Sequence, residues 1–235
     1  MPNSKWFEGA TINYAEHLFK KAKDNETAII FGNETGLNQE ISWLELKTKV
    51  ASLATYFKSI GVIKDDRVVA FLPNIPEATI AFLAVNSIGA IWSSTSPDFG
   101  SESVVDRFAQ IEPKVLISVD GYQYNGKPYD KSNIVNAIVD ALPTLKKVLV
   151  LPYLNANALD NFPKHYENIN HIFNTVSGEL TFEPVEFNHP IWVLYSSGTT
   201  GLPKAIVHSH GGILLEHLKY MAFHNDVHEG EGFFW

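Results

Sequence analysis

Cysteine is missing from all 235 residues. Its absence excludes a disulfide, a thiolate nucleophile and a zinc–thiolate site. Positive charge is scarce as well: 18 Lys and Arg stand against 26 Asp and Glu, for a formal charge of −8, and no basic run interrupts the pattern. Nucleic acid is therefore not expected as a partner. Nor is there an uninterrupted apolar stretch of the roughly 20 residues that a membrane helix needs. The most apolar region, Val68 to Trp92, is broken by Pro73, Asn74, Pro76, Glu77 and Asn86. Met1 to Glu8 lack the apolar segment of a signal peptide, so a cytoplasmic chain without a membrane span is expected. Low-complexity tracts and internal repeats are absent too. What remains is ordinary globular composition, 45% hydrophobic and 19% charged, in a chain long enough for one large or two small domains.

Apolar residues recur at helical spacing from Ile12 to Ala22, and Thr27 to Phe31 reads as a short strand. Ser42-Trp-Leu-Glu45 forms a capping box. It opens a helix with Leu46, Val50, Leu53, Ala54, Phe57 and Ile60 on one face and Gly61 in the left-handed conformation at its end. From there strands at Arg67–Leu72, Ala90–Ser94, Lys114–Ser118 and Lys147–Leu151 alternate with helices. The first helix has Asn74 as its cap and Pro76 in its first turn and runs to Ser87; the others are Ser101–Gln110 and Ser132–Leu142. Such alternation requires crossover connections, and the apolar strands need cover on both sides. The expected fold class is α/β, a mostly parallel doubly wound sheet with helices on both faces. Periodicity fades from Pro152 to Pro190, a long connection with a short helix and an expected subdomain boundary near 152–190. An amphipathic helix spans Gly212 to Phe223, and Glu229–Gly232 is a turn. Phe233-Phe234-Trp235 reads as the start of a buried strand, and hence as the end of a truncated piece; the alternative is a tail whose rings pack on the core.

The richest chemistry lies between Tyr195 and Lys204: Ser196, Ser197, Thr199 and Thr200 offer hydroxyls, Gly198 and Gly201 free the backbone, and Lys204 brings a cation. Glycines let N–H groups turn toward an anion, so the composition suits a polyphosphate loop. It is not a Walker A loop, because Lys204 lies three residues past Gly201 and leads into the strand-like Ala205-Ile-Val-His208. An ordinary glycine-rich hairpin is the bland alternative. His208 and His210 would share one side of an extended segment, with His217, His224 and His228 nearby. No carboxylate completes a convincing ligand set, and no metal site is assigned. Arg107, Glu112 and Lys114 read as surface or helix-end charges without chemistry.

Tyr195 to Lys204 resembles the signature loop of the adenylate-forming superfamily, which includes acyl-CoA synthetases, luciferases and peptide-synthetase adenylation domains. Leu72–Ala78, Gly89–Ser94, Ser96–Gly100, Asp106–Phe108, Gln110–Leu116, Asp120–Lys127 and Gly211–Tyr220 are similar to segments of its acetoacetate-activating branch. The similarity runs nearly the length of the chain, and these flanking segments favour acetoacetate over acetate as the acid. The resemblance implies an incomplete N-terminal domain of the adenylate-forming fold, residues 1–235 being part of an AMP-binding domain with the C-terminal domain absent. ATP, Mg2+ and CoA are the implied co-substrates and metal. Ser196, Ser197, Gly198, Thr199, Thr200, Gly201 and Lys204 would hold the ATP phosphates. Lys127 would lie near the CoA phosphates and Phe99 along the pantetheine path; a solvated turn lysine and a core phenylalanine are the equal alternatives. The family's magnesium-assisting glutamate, ribose-binding aspartate, hinge and catalytic lysine have no counterpart here. No catalytic residue is assigned, and the chain alone is expected to be inactive. Activation through a mixed anhydride needs no protein nucleophile, in keeping with a chain that lacks Cys. An acetyl- or other short-chain acyl-CoA synthetase and a non-catalytic nucleotide-binding or interaction module remain as alternatives.

Overall fold

The computed structural model describes residues 6–36, 38–197 and 201–234. It opens with a two-residue strand, β1 (Thr11–Ile12), and a short helix, α1 (Tyr14–Phe19). Helix α1 starts later than the apolar spacing suggested because buried Asn13 caps it. The Asn13 Oδ1 accepts from the Ala15 and Glu16 N–H groups, while its Nδ2 donates to the carbonyls of Asn86 and Glu183 at 2.9 Å each. Strand β2 (Thr27–Gly32) forms as expected and pairs with an antiparallel β3 (Asn38–Ser42) that periodicity did not show.

Helix α2 (Trp43–Ser59) starts as its sequence dictates, with Ser42 Oγ accepting from the Glu45 N–H at 3.1 Å. It buries Leu46, Val50, Leu53, Ala54 and Phe57. Gly61, at φ +78°, closes it, and the Val62 N–H reaches back to the Phe57 carbonyl. There follow β4 (Arg67–Phe71), α3 (Pro76–Ser87), β5 (Ile91–Thr95), α4 (Ser101–Phe108) and β6 (Val115–Val119). The cap of α3 is Ile75, which makes no side-chain bond, and not Asn74. Pro76 at the first helical position holds the preceding residue extended, which makes Ile75 the boundary.

An antiparallel ribbon, β7 (Gly121–Tyr124) and β8 (Lys127–Asp130), interrupts the alternation before α5 (Ser132–Ala141) and β9 (Lys147–Leu151). The expected long connection holds β10 (Glu167–Asn168), α6 (Ile169–Thr175) and β11 (Val185–Glu186), and then come β12 (Pro190–Ser196), β13 (Lys204–Ser209) and α7 (His210–Lys219). Helix α7 starts two residues before Gly212 because Ser209 Oγ accepts from the Gly212 N–H, and it widens into a π turn over Tyr220–His224. Phe233 and Phe234 form no strand, and Phe234 is 98% exposed, so neither the buried strand nor a packed tail is realised there. Trp235 lies outside the described residues.

The main sheet has the order β10-β9-β6-β4-β5-β12-β13 and is parallel except for antiparallel β13 at one edge. Side chains alternate strictly between two cores. Val68, Ala70, Val115, Ile117, Leu149 and Leu151 face α2, α3 and α6, whereas Val69, Phe71, Leu116, Val148 and Val150 face α4 and α5. Burying each of the Val, Leu, Ile and Phe side chains contributes about 1.5–3 kcal/mol, which explains why these strands tolerate almost no polar residue. The fold is the doubly wound α/β class expected. No helix among the described residues is long and apolar enough to cross a membrane.

Candidate functional site

Because β4, β5, β6 and β12 run in one direction, the turns that leave them open at one end of the sheet, the end where α/β sheets place their ligands. Strands β5 and β12 are neighbours, with Trp92 beside Trp192. The start of the Ser96–Gly100 turn after β5 and the Ser196–Ser197 end of β12 are thereby set side by side. Gly198, Thr199 and Thr200 of the expected phosphate loop lie outside the described residues. The residues on either side form a hairpin mouth. Ser196 opposes Lys204 across the β12–β13 ladder, and Ser196, Ser197, Gly201 and Lys204 all face solvent. Gly201 takes φ +156°, a conformation that side chains rarely adopt, and an added Cβ there would meet no described residue within 4 Å apart from its chain neighbours. Among the described residues no carboxylate pairs with the Lys204 ammonium, so the mouth presents hydroxyls and a free cation.

One wall of this mouth comes from α4 and the 3-10 turn Ala109–Ile111 after it. The Tyr195 hydroxyl donates to the Arg107 carbonyl at 2.7 Å, and Gln110 Nε2 donates to the Pro203 carbonyl at 3.0 Å. Burial pushes the Tyr195 phenol up to about 12, so it remains a donor across the physiological range. The Arg107 guanidinium bonds Ser103 and lies 4.8 Å from the centre of the Phe99 ring. Arg107, read from sequence as a charge without chemistry, thus joins the Phe99 turn to the hairpin. Lys114 is likewise engaged, with Asp66 at 2.8 Å and the Gly61 carbonyl at 2.6 Å.

The Phe99 turn is tied in a second direction. Ser96 Oγ donates to Asp98 at 2.8 Å, and the Asp98 carboxylate accepts from the Tyr122 hydroxyl on the β7–β8 ribbon. The hydrogen bond from Tyr122, then that from Ser96, holds the Asp98 carboxyl below its usual range; burial, then Asp98, pushes the Tyr122 phenol up to about 12. Lys131 lies 5.4 Å from the centre of the Tyr122 ring, and the Tyr129 ring stacks on it at 5.5 Å. Phe99 is 39% exposed, so the turn does not bury it. Lys127 is an exposed residue one step past the Asn125-Gly126 turn, both of whose N–H groups donate to the Glu34 carboxylate. The structure therefore brings Phe99 and the ribbon that carries Lys127 into one assembly through Asp98 and Tyr122. Buried Asp120 anchors the base of that ribbon by accepting from the Tyr153, Leu154 and Asn155 N–H groups at 2.7–2.9 Å.

The histidines disperse. His208 ends up on β13 and His210 on the first turn of α7, so they do not share a side of one strand. His208 Nδ1 accepts from the Trp192 indole at 2.6 Å, His210 Nδ1 accepts from the Tyr14 N–H at 3.1 Å, and His217 Nδ1 bonds the Tyr14 hydroxyl at 2.8 Å. No group of three or more acids or histidines among the described residues is placed to hold a metal ion. Thr95 Oγ1, at the end of β5, is buried without a partner among the described residues. Sequence reasoning missed Thr95, Arg107, Gln110, Asp98 and Tyr122. Asp98, Arg107, Gln110 and Tyr122 lie in segments that resemble the family, but nothing local gave any of them a role, and Thr95 lies in no such segment.

The class follows from these features together with similarity to known proteins. The family described as AMP-binding enzyme matches residues 16–233, and the chain belongs to it. Among curated relatives, acetoacetyl-CoA synthetase of Gallus gallus is 42% identical over 95% of this chain and 34% of its own length. Acetoacetyl-coenzyme A synthetase of Rhizobium meliloti (strain 1021) is 41% identical over 100% of this chain and 36% of its own. The solved structure of acetoacetyl-CoA synthetase from Streptomyces lividans superposes with a TM-score of 0.95 at 46% identity, covering 100% of this chain and 36% of that one. The chain thus spans about a third of the length of the relatives it matches.

Proposed function

We propose that this chain supplies the polyphosphate-binding part of an acid–CoA ligase that activates acetoacetate. In the reaction, the acetoacetate carboxylate attacks the α-phosphorus of ATP, pyrophosphate leaves, and the CoA thiol then displaces AMP from acetoacetyl-adenylate. The observation that carries the reading is the solvent-facing hairpin mouth at the carboxyl ends of parallel strands, with Ser196, Ser197, Gly201 and Lys204 in it. Hydroxyl and N–H donors there, with Thr199 and Thr200 between them in sequence, would hold the β and γ phosphates and stabilise charge on departing pyrophosphate. Mg2+ suits this donor set as a companion of the phosphates, since it keeps few protein ligands. Phe99 and Lys127 would lie along CoA, on the assembly that Asp98 and Tyr122 hold together.

Two measurements test the reading. In a ligase of the relatives' length carrying these residues, Thr199→Val with Thr200→Val is expected to weaken ATP use by at least about tenfold, given two lost charge-assisted bonds. Unchanged nucleotide affinity and turnover would sink it. The 235-residue chain alone is expected to show no acetoacetate-dependent ATP–pyrophosphate exchange, and clear exchange would overturn the view that further segments are needed. Faster turnover of acetate than of acetoacetate by the longer enzyme would move the substrate, leaving the phosphate role in place.

A further inference from the structure

Strand β13 is the edge strand, paired on one side with β12. Lys204, Ala205, Ile206 and Val207 are all exposed, so on β13 the hairpin is held mainly by its ladder to β12. Among the described residues two further bonds tie the hairpin down, one to the last turn of α4 and one from the 3-10 turn Ala109–Ile111 that follows it. The Tyr195 hydroxyl reaches the Arg107 carbonyl from the last residues of β12, and Gln110 reaches the Pro203 carbonyl just before β13 begins. They grip the hairpin on either side of the hydroxyl-rich loop. Gln110 is itself fixed, because its Nε2 also donates to the Asp106 carbonyl at 2.6 Å. The start of the same helix follows the Phe99 turn directly, with Gly100 as its cap, and Arg107 lies against the Phe99 ring.

We propose that α4 is a brace between the two turns, and that Gln110 and Arg107 are positioning residues that set the angle of the phosphate hairpin against the Phe99 turn. The proposal rests on the phosphate reading above for its ligand, but the brace itself rests on geometry alone. Neither residue needs to touch nucleotide. Their effect is to keep the mouth formed before the polyphosphate arrives, so that binding does not bear the cost of ordering it.

Amide hydrogen exchange of the 235-residue chain reads the brace directly, at Tyr195–Ser197 and at Lys204–Ala205. Gln110→Met, which keeps the size and removes the donor, and Tyr195→Phe are each expected to speed exchange there about fivefold, the worth of one net hydrogen bond. Exchange in β4 and β6 and the melting temperature should not move, since Gln110 is exposed and Tyr195 keeps its ring. Gln110→Lys, which returns a donor, should restore slow exchange. Inorganic tripolyphosphate with Mg2+ supplies the functional probe, with affinity falling by a similar factor in the Met and Phe variants. Unaltered exchange at both hairpin ends, or an equal rise across the whole sheet, would overturn the brace. Altered exchange in a chain that binds no tripolyphosphate even when unsubstituted would support the brace and overturn the phosphate reading instead.

Discussion

His210 shows what one buried side chain can do to the pH response. Its Nδ1 accepts from the Tyr14 N–H, which leaves the proton on Nε2, a buried atom without a partner among the described residues. Burial first, then the facing His189 ring 5.6 Å away, lowers its pKa from 6.5 to about 3. The unfolded chain therefore binds a proton that the folded chain refuses. The stability contributed by neutral His210 is fully present above 6.5 and is lost as pH falls from there toward about 3, at up to about 1.4 kcal/mol per pH unit. His210→Leu should cost about 1–3 kcal/mol near neutrality, because the Tyr14 N–H loses its acceptor, yet flatten the acid slope by one proton. Urea titrations across that window would show both effects, and an undiminished slope would assign the proton elsewhere. Legibility at this scale followed sequence distance. Ser196, Ser197, Gly201 and Lys204 stand together in the chain, so their composition spoke for them. His210 and Tyr14 lie 196 residues apart, and Tyr195 and Arg107 lie 88 apart, so nothing local to either residue marks the bond.

Among elements, the β7–β8 ribbon is the one whose seating is most sharply defined. A Cβ on Gly121 would meet the Tyr129 carbonyl oxygen at 2.5 Å and the Leu154 side chain at 2.8 Å. The first contact is with backbone and cannot relax by a rotamer change. Gly121→Ala should therefore destabilise by about 1–3 kcal/mol and shift the ribbon away from Asp98, seen as a lower melting temperature and a Tyr122 phenol that titrates nearer its ordinary value of 10.0. A wild-type melting temperature with the same Tyr122 titration would show that the ribbon is more pliable than its packing indicates. The sheet strands and their helices were readable because unbroken apolar runs and helical spacing each occupy a whole element. The ribbon was not, because its exposed β8 has no buried face to imprint a pattern. Strands of two residues, such as β1 and β11, are likewise too short to carry a period. Asn74 looked like a cap by residue type, but the backbone restriction imposed by Pro76 decided the boundary.

At the scale of the whole molecule, a net charge of −8 opposes association, but among the described residues β13 leaves an open sheet edge, with Ile206 at 42% and Val207 at 57% exposure beside Leu194 at 41%. Unpaired backbone groups with apolar neighbours recruit another strand. The isolated chain should associate with rising concentration, and Val207→Lys should return it to monomer in sedimentation velocity; equal association of both would place the contact elsewhere. The two-sided core made the doubly wound class visible in sequence, whereas the open edge became visible only once the strand order was known. The pairing of β5 with β12 has a further consequence for how the molecule comes to exist. Ser93 Oγ donates to the Val193 carbonyl across a separation of 100 residues, while β4 meets β6 over a much shorter loop, Val68 beside Val115. Loop closure costs more as the enclosed chain lengthens, and pairings of this kind slow folding. The hairpin is expected to join the sheet late, so that an unfinished chain would acquire its buried core before its hydroxyl-rich mouth.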